Sequence, residues 1–405
     1  MCFPAADLVR KSPSIFVAAF ALAVTSFAHG QEMEGLKEVR RHMLDANLVA
    51  LTFRTMDQIF PTRVVDTTTP VWVLPSRQAK LDFAYEYAGK TYSAEEVLDR
   101  TYTNALIIIK HGNIVFETYR NQASETTHFV SMSMSKSITS ILIGLALADG
   151  SIHSVDDAIT AYVPELKDSA YEGVTIRQAL MMRSGVDYTE NSDFGRPSFN
   201  ATAFEEAFVQ GRVRLASFAR ILARAHSPGE QFNYSSMDTA VLGWVLERAT
   251  KQTLSRFMSE RLWKPMGMES YGYWILDGLP DVGREFTAGG FNAVARDYAR
   301  LGLLMLDKGK VRGKQIVAEK WVRESTVPDE AGAGPPATGT PYKYHWWLMG
   351  PGAFAATGTQ GQFIYVDTST DTVIVKLSSS PPALKDKTGA ESVAFLQAAS
   401  RWNVR

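Results

Sequence analysis

The sequence predicts an α+β fold, in which an antiparallel sheet flanked by helices is built from N- and C-terminal segments around an all-helical insert. Two observations predict it. Runs rich in Val, Ile and aromatic residues, typical of strands, occur at residues 105–119 and again after Tyr342. Between Ser151 and about Trp274 the spacing of apolar residues is helical and no strand is expected, so the insert is placed at about residues 151–285.

Residues 1–30 have the pattern of a secretory signal peptide. Arg10 and Lys11 precede an apolar run at residues 14–27, which is followed by small residues up to Gly30. The run is too short to span a bilayer comfortably, and an uncleaved membrane anchor is the alternative. Cleavage near Gly30 would remove Cys2, the only cysteine, and would leave a secreted or periplasmic protein without disulfides or stable membrane association.

Residues 31–104 are predicted to form an N-terminal arm on the surface of a domain that spans residues 105–405. The arm carries a short helical pattern and then a Pro- and Thr-rich run that ends at Pro75. Two strands follow, Ala105 to Lys110 and Ile114 to Tyr119, and the short glycine-containing turn between them predicts a hairpin.

A helix is predicted to begin near Ser133 and to end at Gly150, because apolar residues recur there at the spacing that buries one helical face. Ser133 and Lys136 are three residues apart in its first turn, so the ammonium can reach the hydroxyl. A serine becomes a good nucleophile when a neighbouring base takes its proton, and a lysine can be that base when burial keeps it uncharged. Alternatively, Ser133 caps the helix and Lys136 is a solvated first-turn residue.

The remaining elements are predicted from the same spacing rules. Helical spacing in the insert occurs at residues 155–163, 175–182, 204–225 and 236–250. The C-terminal strands are predicted at His345–Met349, Gly361–Asp367 and Thr372–Ser378, and a last helix at Ala390–Trp402. A cleft is expected between the sheet and the insert.

Tyr234 is a candidate for a second proton-handling group. It follows the Pro228-Gly229 turn and directly precedes the helix that begins near Ser236, so it lies on an ordered loop at a helix start. From the insert it could face Ser133 across the cleft. The alternative is a buried aromatic ring with a bonded hydroxyl.

A strand that could stabilise an oxyanion is predicted at residues 356–362, where small residues let a substrate carbonyl approach the backbone. The backbone N–H groups of Ser133 and Thr359 would hold the oxyanion. The alternative is a bulged strand start. The motif Lys387-Thr388-Gly389 is rejected for this role, because it follows the last strand and leads directly into the C-terminal helix.

Composition excludes several classes of function. The 42 Lys and Arg nearly balance 43 Asp and Glu, so nothing indicates nucleic acid as a partner. No histidine lies in a His-Glu-x-x-His or Gly-x-Ser-x-Gly setting, so neither a zinc site nor the usual hydrolase triad is supported. We therefore expect no metal and no cofactor, and a small molecule as the partner.

Together the motifs resemble those of the class C β-lactamase and penicillin-binding-protein-like serine hydrolases. Three motifs occur in the order and rough spacing of that family, and segments 172–190, 262–269 and 286–306 are similar as well. Within the family the chain most resembles the 6-aminohexanoate-dimer hydrolases, which are nylon-oligomer amidases, and related esterases. The motifs are Ser133-Met134-Ser135-Lys136, Tyr234-Ser235-Ser236 and Thr357-Gly358-Thr359.

The resemblance implies a β-lactamase-like fold and hydrolysis through an acyl-serine intermediate. Ser133 would be acylated, with Lys136 as general base and Tyr234 sharing the proton transfer, and water would then release the acyl group. One departure is Ala356, which stands where β-lactamases have the lysine expected to hold a β-lactam carboxylate. A neutral or amine-bearing ester or amide therefore fits better than a β-lactam.

Five residues are candidates for substrate binding. Asp187, Tyr188 and Glu190 follow Ser184-Gly185, and a carboxylate there, with Asp187 as the candidate, could attract a substrate ammonium, unless it is a solvated loop acid. Trp346 and its neighbours would line the cleft, or else pack into the core. Ser236 and Gly358 are added from the two motifs that would border the reacting carbonyl.

Three hypotheses for the function remain. The first is an exported serine hydrolase that cleaves small esters or short linear amides. The second is a β-lactamase or a D-Ala-D-Ala carboxypeptidase-type penicillin-binding enzyme, and the third is a non-catalytic binding module of the same fold. Ser133, Lys136 and Tyr234 together favour catalysis, because a binding module has no need of all three.

Overall fold

The structure, a computed structural model, describes residues 34–190, 197–328 and 339–404. The predicted signal peptide at residues 1–30 lies outside these ranges. Within them, no helix is both long enough and apolar enough to cross a membrane.

Among the described residues the strands fall into two groups, at residues 62–130 and 272–378, and many are short. In chain order they are β1 Thr62–Val65, β2 Ala84–Tyr87, β3 Lys90–Ser93, β4 Thr103–Lys110, β5 Asn113–Tyr119, β6 His128–Val130, β7 Gly272–Ile275, β8 Phe291–Val294, β9 Lys310–Val311, β10 Lys314–Gln315, β11 Tyr342–Lys343, β12 Trp346–Gly350, β13 Ala353–Gly358, β14 Gln362–Asp367 and β15 Thr372–Ser378.

The described helices include four of twelve residues or more, together with many single turns. They are α1 at residues 34–41, α2 Val49–Thr52, α3 Met56–Ile59, α4 Glu96–Arg100, α5 Met134–Ala148, α6 Ile176–Leu180, α7 Phe199–Phe204, α8 Ser236–Thr250, α9 Leu254–Met258, α10 Lys264–Met266, α11 Ala295–Leu306, α12 Glu319–Thr326 and α13 Lys385–Arg401.

A seven-stranded antiparallel sheet lies at the centre, in the order β11-β12-β13-β14-β15-β4-β5. The N-terminal hairpin β4-β5 joins the C-terminal strands where β4 pairs with β15, with Ile107 opposite Val375. The prediction that the sheet is built from both ends of the chain is therefore confirmed.

Every residue of β4 is buried because helices cover both faces of the sheet. Successive side chains of a strand point to opposite faces. Ile107 and Ile109 belong to the apolar cluster formed with α5 and α11, whereas Leu106 and Ile108 belong to the cluster formed with α13. The arrangement positions the N-terminus of α5 near one end of the sheet, since α5 packs against β13.

A second, four-stranded sheet in the order β1-β7-β8-β6 was not predicted. Its strands are four residues long or shorter, and they come from the predicted arm, the end of the insert, the segment just after it and the stretch before α5. The arm packs against it, with Phe53, Met56 and Phe60 buried beside Val130 and Tyr273. A strand of four residues or fewer is too short to show a clear alternation of apolar and polar residues. Whether it forms therefore depends on the strand that it pairs with and not on its own sequence pattern.

The insert is helical mainly at its end. Helix α8 begins and ends where predicted, and α6 begins with a capping box between Thr175 and Gln178. Of the other two predicted helices, residues 155–163 form only a 3₁₀ turn, and residues 204–225 divide into a π-helical and a 3₁₀ turn. Helix α13 begins before the predicted Ala390, so Lys387-Thr388-Gly389 lies within a helix, away from any strand position.

Gly144 in α5 lies against Trp321 in α12, and its substitution tests how closely these two helices pack. A Cβ atom there would lie 2.4 Å from a ring carbon of Trp321, whose Nε1 donates to the Ser140 carbonyl at 3.1 Å. Gly144→Ala is expected to lower the free energy of unfolding by about 1–3 kcal/mol through this overlap. Gly389→Ala, in α13 with open space around it, is the matched control and should raise stability by about 0.5–1 kcal/mol. Denaturant unfolding measures both, and equal changes would contradict the packing argument.

Candidate active site

Ser133 and Lys136 are in contact at the start of α5. Ser133 is the N-cap residue, but its side chain makes no capping hydrogen bond. Its Oγ instead lies 3.0 Å from Nζ of Lys136. The preceding Met132 has a left-handed backbone, with φ of 45°, which turns the chain sharply into the helix. The alternative in which Ser133 serves as a helix cap does not describe this geometry.

The Lys136 ammonium is buried and fully hydrogen-bonded. Its side chain is 1% exposed. Besides Ser133 Oγ, Nζ donates to Ser236 Oγ and to the carbonyl oxygen of Ala288, each at 3.0 Å. In the charged form, its three N–H groups therefore meet three acceptors, so this lysine is neither solvated nor free to rotate. Ala288 lies just before β8, and the sequence assigned it no role.

Tyr234 lies beside the lysine, on the loop before α8. Its ring centroid is 4.8 Å from Lys136 Nζ, and the ring stacks on Trp347 at 6.0 Å. Trp347 also contacts Tyr342 edge-on at 4.7 Å. No described residue forms a hydrogen bond with the Tyr234 hydroxyl, which leaves that group available to a ligand. The structure therefore brings Ser133, Lys136 and Tyr234 together.

The position of Trp346 corrects the prediction that this residue lines the cleft. It is 1% exposed and packs edge-on against Phe354 in the core. Successive residues of β12 point to opposite faces, so the residue that faces Tyr234 is Trp347. The sequence could not choose between the two neighbours, because the register of the strand determines which one is buried.

The end of β13 lies against the loop that carries Ser133. A Cβ atom on Gly358 would be 2.4 Å from the carbonyl oxygen of Ser131, so only glycine permits this approach. Among the described residues, neither the Ser133 nor the Thr359 backbone N–H donates a hydrogen bond. Ala356 is buried in the same strand, opposite Ile364. An oxyanion hole requires two such N–H donors without another hydrogen-bond acceptor.

Asp187 and Tyr188 take different positions in the structure. Asp187 is exposed, as the alternative of a solvated loop acid predicts. Tyr188 packs edge-on against Phe199 in the core, and burial raises its pKa well above the usual value. The acid that does reach the site is Glu190, whose two carboxylate oxygens accept from Ser236 Oγ–H and Ser236 N–H, each at 2.8 Å.

His345 contacts the backbone of Lys136. Its Nδ1 lies 3.0 Å from the Lys136 carbonyl oxygen, and Ser137 Oγ donates to the His345 carbonyl at 2.6 Å. Because a carbonyl can only accept, Nδ1 carries the proton. Burial lowers the pKa of His345 to about 3, so the ring stays neutral and adds no charge next to the ammonium.

Burial of Asp238, in the first turn of α8, is expected to make the stability of the fold depend on pH. It is completely buried, Tyr171 Oη–H donates to its Oδ1 at 2.7 Å, and burial raises its pKa to about 7. The folded state therefore holds this proton more tightly than the unfolded chain does, and stability falls as pH rises from about 4 through 7. Asp238→Asn should remove that loss, worth at most about 4 kcal/mol. Thermal unfolding at pH 5 and pH 8 measures it, and a variant advantage that does not grow with pH would contradict the assignment.

Comparison with known proteins places this site in a family. The beta-lactamase family model matches residues 95–399. The chain belongs to the beta-lactamase family. Among curated proteins of this family, it is 30% identical to the 6-aminohexanoate-dimer hydrolase of Paenarthrobacter ureafaciens over 346 residues, which are 81% of this chain and 85% of that protein.

Solved structures agree with this family assignment. A Bacillus anthracis protein provisionally named 6-aminohexanoate-dimer hydrolase superimposes with a TM-score of 0.80 at 25% identity, over 89% of this chain and 96% of that one. A family VIII carboxylesterase has the same fold, with a TM-score of 0.59 at 17% identity over 76% of this chain and 96% of that one. The beta-lactamase-family residues 95–399 contain Ser133, Lys136, Tyr234 and Thr359.

Proposed function

We propose that the chain is an exported serine hydrolase that cleaves small esters or short linear amides through an acyl-serine intermediate. The observation that carries the proposal is the 3.0 Å contact between Ser133 Oγ and a buried Lys136 whose other two donors are already bound. The kinship with a 6-aminohexanoate-dimer hydrolase over most of the chain supports an amide or ester as substrate.

Acylation proceeds in one addition and one elimination. Ser133 Oγ bonds to the substrate carbonyl carbon while its proton passes to the lone pair of neutral Lys136, and the carbonyl π electrons move to oxygen. The Ser133 and Thr359 N–H groups hold the resulting oxyanion. The tetrahedral intermediate then collapses, the bond to the leaving group breaks, and the proton reaches the departing alcohol or amine through Tyr234. Water repeats the sequence on the acyl-enzyme and releases the acid.

The substrate preference follows from the walls of the site. Tyr234, Trp347 and Tyr342 present stacked aromatic surfaces suited to a short apolar chain beside the reacting carbonyl. Ala356 supplies no cation for a substrate carboxylate. A neutral or amine-bearing ester or amide satisfies both features, whereas a β-lactam leaves its carboxylate without a partner at this position.

The test is an intact-mass measurement on purified protein mixed with p-nitrophenyl butyrate and quenched in acid, with nitrophenol release followed in parallel. We expect a butyryl adduct that peptide mapping locates at Ser133, together with a burst of nitrophenol. An adduct on another residue would overturn the site assignment. Neither adduct nor turnover on an ester and amide panel would favour a binding module. Stable acylation by a penicillin, or faster lactam than ester hydrolysis, would favour a β-lactamase or penicillin-binding enzyme.

Export is tested separately by expressing the full sequence in a Gram-negative host and analysing the periplasmic fraction. The proposed cleavage near Gly30 predicts a mature protein that begins at or close to Gln31. A full-length protein retained in the membrane fraction would instead indicate an uncleaved anchor.

A further inference from the structure

A carboxylate outside the sequence motifs is connected to the reactive serine through a chain of hydrogen bonds. Glu190 accepts both Oγ–H and N–H of Ser236, each at 2.8 Å. Ser236 is the first residue of α8, a fifteen-residue helix, so its N–H belongs to the positive end of the helix dipole, where an anion is favoured. Ser236 Oγ in turn accepts from Lys136, and Lys136 contacts Ser133.

The direction of each proton in this chain follows from the acceptors. The Glu190 carboxylate can only accept, so the single hydroxyl proton of Ser236 points to it, and Ser236 Oγ can act only as an acceptor toward Lys136. The Ala288 carbonyl is also an acceptor only. A neutral lysine has two N–H bonds and one lone pair. When the two N–H bonds point to Ser236 and Ala288, the lone pair points to the third neighbour, Ser133 Oγ.

We infer that Glu190 is a positioning residue, which aims the lone pair of Lys136 at Ser133 by fixing the hydroxyl of Ser236. The inference rests on the proposed function. Without the carboxylate, the Ser236 hydroxyl can rotate and donate to the lysine nitrogen, which occupies the lone pair that Ser133 needs. Glu190 exchanges no proton during acylation, because the proton of Ser133 passes only to Lys136.

None of the other described groups around Lys136 is a carboxylate that could orient its lone pair. The Tyr234 ring contributes a π face, His345 is neutral and contacts the lysine backbone, and Ala288 offers a backbone carbonyl. Among the described residues, none of the ion pairs involves Lys136. Glu190 is thus the carboxylate that acts on the Lys136 amine, and it does so through one intervening hydroxyl, that of Ser236.

The test is a double-mutant cycle on the acylation of the protein by p-nitrophenyl butyrate, a neutral ester. Glu190→Gln should lower kcat about tenfold, the loss expected when a general base is misdirected, and should leave KM unchanged. In a Ser236→Ala background, which has no hydroxyl to direct, the same substitution should have no further effect. Glu230→Gln is the matched control, because that carboxylate accepts the Ser227 N–H at 3.1 Å and is not bonded to Lys136 or Ser236. It should leave kcat unchanged.

Each other outcome contradicts the inference. An unchanged kcat in Glu190→Gln, or an equal fall in both backgrounds, would show that the carboxylate does not act through Ser236. A rise in KM confined to amine-bearing substrates would assign Glu190 to substrate binding instead. These results leave the hydrolase proposal standing, since the wild type still forms its adduct at Ser133. Absence of that adduct overturns the proposed function and this inference together.

Discussion

Ser133→Ala is expected to lower kcat for p-nitrophenyl butyrate by at least about a thousandfold and to abolish the acyl adduct. Alanine cannot form the ester bond to the substrate, so only the binding and oxyanion-stabilising groups remain to assist direct attack by water. The fold should persist, because Ser133 makes no capping bond and Lys136 keeps its contacts with Ser236 and Ala288. Steady-state kinetics, intact-mass spectra and thermal unfolding measure the three effects.

Ser140→Ala is the control for a serine lost from the same helix. Ser140 is buried in α5, and its Oγ has no hydrogen-bond partner among the described residues. Removing that hydroxyl should leave kcat unchanged and should not lower stability, because a buried polar atom without a partner is unfavourable. If Ser133→Ala retained more than a few per cent of wild-type turnover while Ser140→Ala matched it, Ser133 would not be the nucleophile.

The geometry of the site depends on helix starts and one strand end that are far apart in sequence. Ser133 begins α5, Ser236 begins α8, and Gly358 ends β13. Unpaired backbone N–H groups at helix starts favour negative charge, which suits both the developing oxyanion and the Glu190 carboxylate. The central sheet holds α5 and β13 in contact, and α5 packs on α8, so the three ends meet without a flexible connection.

The candidate catalytic residues were predictable because local patterns encode them. Ser133 and Lys136 lie one turn apart on one helix, so their contact follows from helical geometry alone. Tyr234 is predictable because a turn and a helix start flank it, and the structure places it beside the lysine. The long strands β4 and β15 were predictable for a similar reason, because seven or more consecutive buried residues leave a clear pattern.

The other contacts could not be predicted because tertiary packing decides them. Ala288 contributes a backbone carbonyl, which no side-chain pattern reveals. Glu190 was one of several acids in its segment, and only the fold selects it over Asp187. Trp347 faces the site and Trp346 the core because of the register of β12, which a one-residue shift would reverse. The four short strands of the second sheet depend in the same way on their neighbours.

Lys136→Met is expected to lower kcat by at least about a thousandfold while shifting the melting temperature by only a few degrees. Methionine is unbranched and fills the same buried space, but it cannot accept the proton of Ser133. The variant removes a desolvated ammonium, which favours stability, and leaves Ser236 Oγ and the Ala288 carbonyl without a donor, which opposes it by about 1–3 kcal/mol for each group. The two effects largely offset each other.

Lys110→Met separates the loss of a base from the loss of any buried lysine. Lys110 is also buried, and its Nζ donates to Thr372 Oγ1 at 3.1 Å and to the Ser400 carbonyl at 2.7 Å, on the sheet away from Ser133. It should alter stability but leave kcat unchanged. Rapid acylation in Lys136→Met would contradict the assignment of Lys136 as the general base. Slow acylation in Lys136→Met but not in Lys110→Met would establish that Lys136, one helical turn beyond Ser133, activates that serine.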